Sequence, residues 1–208
     1  MICLGIDTTD AACSAALVDN AHVLATSSKI IHRGHAEILG PMVENLFSSS
    51  GISAKDLSKI SVCTGPGSFT GVRVGLSFAK GLALPWSISV IGVSRLEVWA
   101  NSVDPERDKS VMTIADVRRG DVFWQRFENG HAVDAPVLTG IDAARQALRP
   151  GDYIVGNGAA LLDGPLADNT VLPAHLAWLG LERSPVTHPA EPLYHRPPDA
   201  KLPGGRSL

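Results

Sequence analysis

Alternating apolar and polar positions predict an ordered series of strands and helices in the first hundred residues. Three apolar runs within 1–30, separated by turn-forming residues, predict an antiparallel meander of three strands. Apolar residues then recur at helical spacing over 35–48, where Pro41 should kink the helix or confine its start to about Gly40. The remaining elements of this half are predicted as a strand over 60–63, a helix over 70–84, a strand over 88–93 and a helix over 96–100.

The predicted helix over 70–84 has almost no polar face. Its only charged side chains, Arg73 and Lys80, are seven residues apart and so lie on one side. A surface helix normally has a single apolar stripe that faces its own core. This helix has two apolar rows, so we expect it to be covered on two sides, the second time by another protein. The rows are Val72, Leu76, Ala79 and Ala83, and Val74, Phe78 and Leu82.

The second half repeats the pattern of the first in a thinner form. The polar segment 101–109 predicts a boundary between a domain at 1–100 and a smaller one at 101–208. From Ser184 onward the chain is rich in proline, and we expect its end to be loose. The pattern therefore predicts an α/β protein with mixed sheets and a reduced second lobe. Its elements are strands over 111–115, 122–127, 132–138 and 153–155, a hairpin turn at 129–130, a helix over 141–148 and a short helical run after 158.

Composition and charge narrow the class of protein. The chain has 208 residues, of which 45% are hydrophobic and 19% charged, as is ordinary for a folded soluble protein. Its net charge of −3 gives no overall basic footprint, which argues against an autonomous RNA-binding protein. No signal peptide and no apolar run of about 20 residues is visible, so we expect no membrane contact and a cytoplasmic location. Cys3, Cys13 and Cys63 lie in apolar runs and are predicted to be buried, reduced thiols.

Two glycine-rich segments and one aspartate could belong to a nucleotide site. Asp7 ends the first strand, where it could hold a metal or a phosphate through water, although capping of the following turn is favoured. The corner at 65–71 joins a strand to a helix and could cradle an anion, but it has neither a Walker lysine nor GxGxxG spacing. The loop at 156–158 could approach an adenosine. A vestigial nucleotide site would comprise Asp7, Gly65, Gly67, Gly156 and Gly158.

No other group of residues predicts catalysis. His32 and His35 are three apart and lack the HExxH spacing of helical zinc sites, so no metal site is predicted. Ser68 and Ser94 do not lie in a GxSxG motif, and Ser94 is a plausible helix N-cap. The polar segment 116–119 is either a solvated turn or a partner contact. The sequence therefore predicts no catalytic residue.

Several motifs in order resemble one known family, the TsaB (YeaZ-type) proteins of bacterial tRNA threonylcarbamoyladenosine synthesis. The most specific of them is GPGSFTGVRVG within 64–76. The resemblance is close over 1–100 and extends thinly into the second half. The other motifs are IDTT at 6–9, HAEIL at 35–39, KGLA at 80–83 and GVS at 92–94, with DVRRGDVF at 116–123, GNG at 156–158 and PLYHR at 192–196.

This resemblance implies a fold and a role. The fold is that of actin-like ATPases (ribonuclease H-like), with two related lobes. The role is that of a non-catalytic partner of a TsaD-type transferase, which moves a threonylcarbamoyl group from an adenylate to adenosine 37 of tRNA. A TsaE-type ATPase completes the assembly, and ATP and metal are expected on the partner proteins, with no cofactor here. Contact with tRNA would be indirect at most, and homodimers would use the same face as the heterodimer.

In this family the two helices at 35–47 and 70–84 form the partner interface, and the small side chains of the second helix would allow close approach. Two alternatives stay open. One is an actin-fold ATPase or phosphotransferase acting on its own, and the other is an M22-like metallopeptidase with metal at His32 and His35. The partner-binding residues implied are Leu39, Met42, Val43, Leu46, Gly71, Val74, Gly75, Phe78 and Leu82.

Overall fold

The computed structural model describes residues 1–165 and 171–194. Within these residues, the first of two sheets has five strands. These strands are β1 (Cys3–Asp7), β2 (Ala12–Val18), β3 (Val23–Ile30), β4 (Lys59–Cys63) and β5 (Ser89–Val93). Their order is β3-β2-β1-β4-β5. β1, β2 and β3 pair antiparallel, whereas β4 lies parallel to β1 and β5 parallel to β4. The predicted meander and the α/β class are confirmed.

Three helices alternate with these strands along the chain. α1 (His35–Ser50) comes after β3, α2 (Phe69–Ala83) after β4 and α3 (Arg95–Val103) after β5. The prediction that Pro41 would confine the start of α1 to about Gly40 is wrong, because the helix begins at His35 and continues through the proline. Pro41 is exposed, and its ring removes only one N–H donor while the buried side of the helix continues past it. α1 ends at Ser50, and the glycine that follows it, Gly51, adopts φ 70° as the C-cap residue.

The second sheet is smaller and less regular. Its strands are β6 (Ser110–Asp116), β7 (Asp121–Glu128), β8 (His131–Ala132), β9 (Val137–Gly140) and β10 (Tyr153–Val155), and helix α4 spans Ile141–Gln146. The order is β10-β6-β7-β8, and β9 also pairs with β7. The single return strand predicted over 132–138 is wrong: two short strands, β8 and β9, pair with different ends of β7.

A further helix, α5 (Pro173–Glu182), was not predicted, and it packs on the first sheet. Leu4 and Ile6 of β1 face the side of α1 and α2, while Cys3 packs with Ala177 of α5. The central strands β1, β2 and β4 of the first sheet are therefore buried on both faces, whereas β3 is largely exposed.

Lys59 holds the end of α5, because its Nζ donates to the carbonyl oxygens of Gly180, Leu181 and Arg183 at 3.2, 2.7 and 2.5 Å. Residues after residue 170 thus contact the sheet formed by the start of the chain. The division into domains at residue 100 stays a prediction, and the proline-rich end beyond residue 194 lies outside the described residues.

The three cysteines are free and buried, as predicted. Burial raises the pKa of the Cys3 thiol to about 12 and that of Cys13 to about 11. Burial also raises the pKa of Cys63, whose Sγ lies 3.7 Å from Thr9 Oγ1. The thiols therefore stay protonated at neutral pH and pack as small apolar side chains.

A buried ion pair joins β7 to the residue that precedes β10 in the second sheet. Arg126 of β7 donates from Nη2 to Asp152 Oδ2 at 2.7 Å, and the two side chains are only 5% and 2% exposed. Ser110 Oγ and the Arg149 backbone N–H donate to the same carboxylate at 2.6 and 2.9 Å. Burial alone would raise the pKa of Asp152, but these donors and the guanidinium outweigh it and hold the pKa below its ordinary value.

We expect Asp152→Ala to lower the free energy of unfolding by about 3–5 kcal/mol, because it leaves the Arg126 guanidinium buried without an anion. Asp163→Ala, which removes the exposed pair with Arg145, should cost at most about 1 kcal/mol. Since the pKa of Asp152 is lowered by folding, its contribution is present above the ordinary value of about 3.9 and is lost as pH falls through the folded value. Urea unfolding followed by tryptophan fluorescence at several pH values measures both effects. Equal costs for the two substitutions would contradict the assignment.

Candidate functional site

Asp7 caps the turn between β1 and β2. Its Oδ1 accepts hydrogen bonds from the backbone N–H and the hydroxyl of Thr9 at 2.8 and 2.7 Å, and the residue is 3% exposed. This geometry is an Asx turn, so the favoured prediction of a capping role is confirmed.

The glycine-rich corner packs directly on this turn. The Ser68 backbone N–H donates to the Thr9 carbonyl at 2.7 Å, and the Thr8 hydroxyl donates to the Gly71 carbonyl at 2.7 Å. A Cβ at Gly67 or Gly71 would overlap the carbonyl oxygens of Thr9 and Thr8, respectively. The glycines at this corner thus permit contact between two segments of backbone.

A cleft of about 450 Å³ lies between the two sheets. The first sheet and its helices contribute Asp10, Gly67 and Arg95, and the second sheet contributes Arg118 and Asn157. Of the residues predicted for a nucleotide site, Gly67 lines this cleft, and Asn157 places the loop at 156–158 beside it. Asp7 instead borders a smaller cavity of about 210 Å³.

Arg95 and Asp10 form an ion pair in the wall of the cleft. Arg95 is 4% exposed, its guanidinium carbon lies 4.6 Å from the centre of the Trp99 ring, and its backbone N–H donates to the Gly65 carbonyl at 2.7 Å. Burial would raise the pKa of Asp10, but the charge and hydrogen bond of Arg95 outweigh it and hold the pKa below its ordinary value. The buried cation of the cleft is therefore already neutralised by the chain's own carboxylate.

Gly156 and Gly158 pack against β6. A Cβ at Gly156 would overlap the Ile114 carbonyl oxygen, and one at Gly158 would lie 2.8 Å from the Ile114 side chain. The Asn157 side-chain oxygen accepts from the Asp116 backbone N–H at 2.9 Å. This loop is thus adapted to the close packing of β10 on β6.

The other polar residues considered in the sequence have local structural roles. His35 is buried, with Nε2 2.8 Å from the Asp10 carbonyl oxygen, whereas His32 is exposed. Ser68 and Ser94 cap α2 and α3 by accepting backbone N–H bonds at 3.2 and 3.0 Å. Arg118 belongs to a turn in which its N–H donates to Asp116 Oδ1 at 2.8 Å. Within 1–165 and 171–194, no three His, Cys, Asp or Glu side chains converge as metal ligands.

The two apolar rows of α2 have different environments. The row at 72, 76, 79 and 83 is buried against the sheet. Val74, Phe78 and Leu82 are partly exposed on the side that faces α1, where a Cβ at Gly40 would lie 3.9 Å from the Phe78 ring. Phe47 of α1 is also partly exposed there.

Most of the residues that the resemblance assigns to the partner interface are buried within the chain itself, so that assignment is corrected. Leu39, Met42, Val43 and Leu46 of α1 are at most 6% exposed and belong to the core of the chain itself. Gly71 and Gly75 are also buried, and their close approach is to Thr8, since a Cβ at Gly75 would lie 2.7 Å from its Oγ1. The surface that stays available, called the docking face below, consists of Phe47, Thr70, Val74, Ser77, Phe78, Gly81 and Leu82.

Sequence reasoning missed a cluster at the first turn of α2. The Phe69 and Tyr194 rings lie 5.1 Å apart and are 40% and 38% exposed. The Arg73 guanidinium lies 3.8 Å from the centre of the Phe69 ring, and its Nε donates to the Tyr194 hydroxyl at 3.1 Å. The motif at 192–196 contributes to the family resemblance, but nothing in its local pattern indicates a contact with a helix more than a hundred residues earlier.

Comparison with known proteins agrees with this architecture. A family model described as "TsaD: tRNA N6-adenosine threonylcarbamoyltransferase" matches residues 22–155. The Escherichia coli "tRNA threonylcarbamoyladenosine biosynthesis protein TsaB" is 33% identical over 97% of this chain and 98% of its own length. The chain belongs to the TsaB family. A second TsaB protein, from Bacillus subtilis, is 36% identical over 62% of this chain and 57% of its own length.

Solved structures place this TsaB-family chain in the actin-like fold. YeaZ from Pseudomonas aeruginosa superimposes with a TM-score of 0.75 at 25% identity and covers 93% of this chain and 99% of its own. The activator of the 2-hydroxyisocaproyl-CoA dehydratase from Clostridium difficile, solved with bound ADPNP, shares the fold at a TM-score of 0.52 and 12% identity, covering 88% of this chain and 95% of its own. The predicted actin-like fold is confirmed. Among the described residues, no helix is long and apolar enough to span a bilayer.

We expect Gly71→Ala to destabilise the chain by about 2 kcal/mol or more, because the added methyl group would meet the Thr8 backbone. Gly81→Ala on the same helix is the matched control, since nothing lies within 4 Å of the position of its Cβ. The control should stabilise α2 by about 0.5–1 kcal/mol, the usual gain in helix propensity. Thermal unfolding of both variants compares them directly, and a stabilising effect at Gly71 would refute the close packing of α2 on the β1–β2 turn.

Proposed function

We propose that this chain is a non-catalytic partner that binds and activates a TsaD-type transferase in the formation of threonylcarbamoyladenosine at adenosine 37 of tRNA. The printed name of the Escherichia coli relative and the match to a TsaD family model support the pathway. The single observation that carries the partner role is the docking face, where α2 leaves a second apolar row partly exposed.

The nature of the partner explains why two helices would form the contact. A TsaD-type protein is related to this chain, as the match over residues 22–155 indicates, so it should offer an equivalent pair of helices. Two such pairs pack as a four-helix contact with side chains interdigitated. Val74, Phe78 and Leu82 would lie at its centre, where aromatic and aliphatic residues contribute most to binding.

The interior of the cleft supports a non-catalytic role. The corner at 65–71 is packed on Thr8 and Thr9, and the buried cation Arg95 is paired with Asp10. The chain would therefore need no cofactor of its own, and ATP and metal would act on the TsaD-type and TsaE-type partners. Contact with tRNA would be made through the partner, in the cytoplasm.

The docking face generates the main test. Val74→Glu combined with Phe78→Glu should weaken co-purification with the TsaD-type homologue by roughly 100-fold or more, because two charges would be buried at the centre of the contact. Both side chains are partly exposed, so circular dichroism of the isolated variant should stay unchanged. Val186→Glu, at a residue that is 89% exposed elsewhere, is the control. In a reconstituted tRNA modification assay, the double variant should likewise lose activity and the Val186→Glu control should retain it. Full binding and activity of the double variant would refute the proposal.

An ATPase or phosphotransferase acting on its own is the second candidate, favoured by the fold shared with an activator solved with bound ADPNP. Calorimetry with ATP and Mg²⁺ on the isolated chain separates the two. We expect no saturable heat, since the chain's own backbone occupies the space beside Thr8 and Thr9. Tight binding that is lost in Asp7→Ala would instead favour the enzyme.

A further inference from the structure

The docking face alone is smaller than a specific contact between two proteins requires. Such a contact usually buries about 800 Å² on each partner and involves roughly 20–30 residues a side. The large apolar side chains of the docking face are already partly buried, and its exposed residues are the small Thr70, Ser77 and Gly81. A contact of ordinary size therefore has to include neighbouring exposed residues.

Large exposed apolar side chains adjoin the docking face at the two ends of α2. Phe69, in the first turn of this helix, is 40% exposed, and Leu84 and Trp86, directly after it, are 80% and 53% exposed. Every residue of α1 is described, and those that are exposed are small, polar or proline. The apolar surface thus continues beyond α2 and not beyond α1.

One row of residues joins these two ends along the outside of α2. Its members are spaced by four, four, three and four positions, which places them on one side of the helix. Leu84 still has helical geometry, with φ −56° and ψ −48° and its N–H donating to the Lys80 carbonyl. At 1.5 Å per residue the row is about 22 Å long. All its members are exposed, and they are called the outer row below: Phe69, Arg73, Ser77, Lys80 and Leu84.

The first end of the outer row is built from two segments that are far apart in the chain. The Leu193 backbone N–H donates to the Thr64 carbonyl at 2.9 Å, which brings Tyr194 to the first turn of α2. There the Phe69 and Tyr194 rings pack together, and Arg73 contacts both of them. Because these contacts hold the rings in place, little side-chain entropy is lost when a partner covers them. Phe69, Arg73 and Tyr194 are called the aromatic anchor.

The other end of the outer row is a closed turn. A 3₁₀ turn over Leu84–Trp86 follows α2 directly and contains a proline. The Ile88 backbone N–H donates to the Ala83 carbonyl at 3.2 Å, which closes the turn before β5 begins. Leu84 and Trp86, called the turn anchor, are therefore held at the surface, and tryptophan is among the residues that contribute most strongly to binding.

We propose that the TsaD-type homologue covers the outer row of α2 as well as the docking face, with the aromatic anchor and the turn anchor at the two ends of the contact. Ser77 belongs to both surfaces and Gly81 lies beside the outer row, so a partner helix laid along α2 reaches both. This inference rests on the proposed function. It adds that Tyr194, from the opposite end of the chain, takes part in recognition, and that a partner has to match two anchors a fixed distance apart.

Single substitutions in the full chain test the two anchors. Phe69→Ala and Trp86→Ala should each raise the dissociation constant for the TsaD-type homologue at least roughly tenfold in calorimetry, because each removes a ring from the contact. Trp86→Phe keeps a ring and should stay within about threefold of the wild type. Tyr153→Ala and Leu172→Ala, at residues that are 46% and 48% exposed elsewhere, are the matched controls and should leave the dissociation constant unchanged.

A second measurement reports the burial of the turn anchor directly. Of the four tryptophans, Trp86 is exposed, Trp99 is buried, and Trp124 and Trp178 are partly buried. In the chain labelled with 5-fluorotryptophan, the fluorine resonance of Trp86 is assigned by its loss in Trp86→Phe. This resonance should lose its solvent isotope shift between H₂O and D₂O when the unlabelled homologue is added to saturation.

Several outcomes would overturn the proposal. They are wild-type affinity of either alanine variant, and an unchanged Trp86 resonance in the complex. A change that appears in the isolated chain as its own concentration rises, and that the homologue does not increase, would assign the anchors to a second copy. Loss of binding in the Val74 and Phe78 double variant, with no effect at Phe69 and Trp86, refutes only this extension of the contact, whereas a wild-type chain that does not bind the homologue refutes the proposed function as well.

Discussion

The contact between the backbone of the β1–β2 turn and the first turn of α2 is the constraint on which the rest of the structure depends. Thr8 and Thr9 meet the corner through hydrogen bonds of 2.7 Å, and no side chain fits between the two segments at Gly67 or Gly71. Because backbone meets backbone there, the position and rotation of α2 on the sheet are fixed at its first turn. Every feature further along the helix follows from that rotation.

Two consequences concern function. Gly71, Gly75 and Ala79 of α2 face inward, whereas Val74, Phe78 and Leu82 are left between α1 and the solvent. The glycine-rich corner itself lies against the backbone of Thr8 and Thr9. One packing arrangement thus accounts both for the glycines of the corner and for the partly exposed apolar row.

The sequence predicted those parts of the structure that depend on local patterns. The alternation in β1 to β3, the helical spacing in α1 and α2, and the N-cap at Ser94 involve neighbours in the chain, and all of them are confirmed. Two local predictions failed, the start of α1 near Gly40 and the single return strand over 132–138. The other failures concern contacts between distant segments. Whether Gly71 faces a partner or Thr8 is decided by the rotation of α2, and the docking of Tyr194 on Arg73 joins residues 121 positions apart. Neither of these contacts produces a periodic pattern in the sequence.

The partial burial of the second apolar row reconciles a stable monomer with a binding surface. Phe78 already contacts α1, so the isolated chain does not expose the whole row, and the gain on association is limited to the part that remains exposed. The strength of binding in the proposed contact would then depend on how closely the exposed parts of Val74, Phe78 and Leu82 fit the partner's helices.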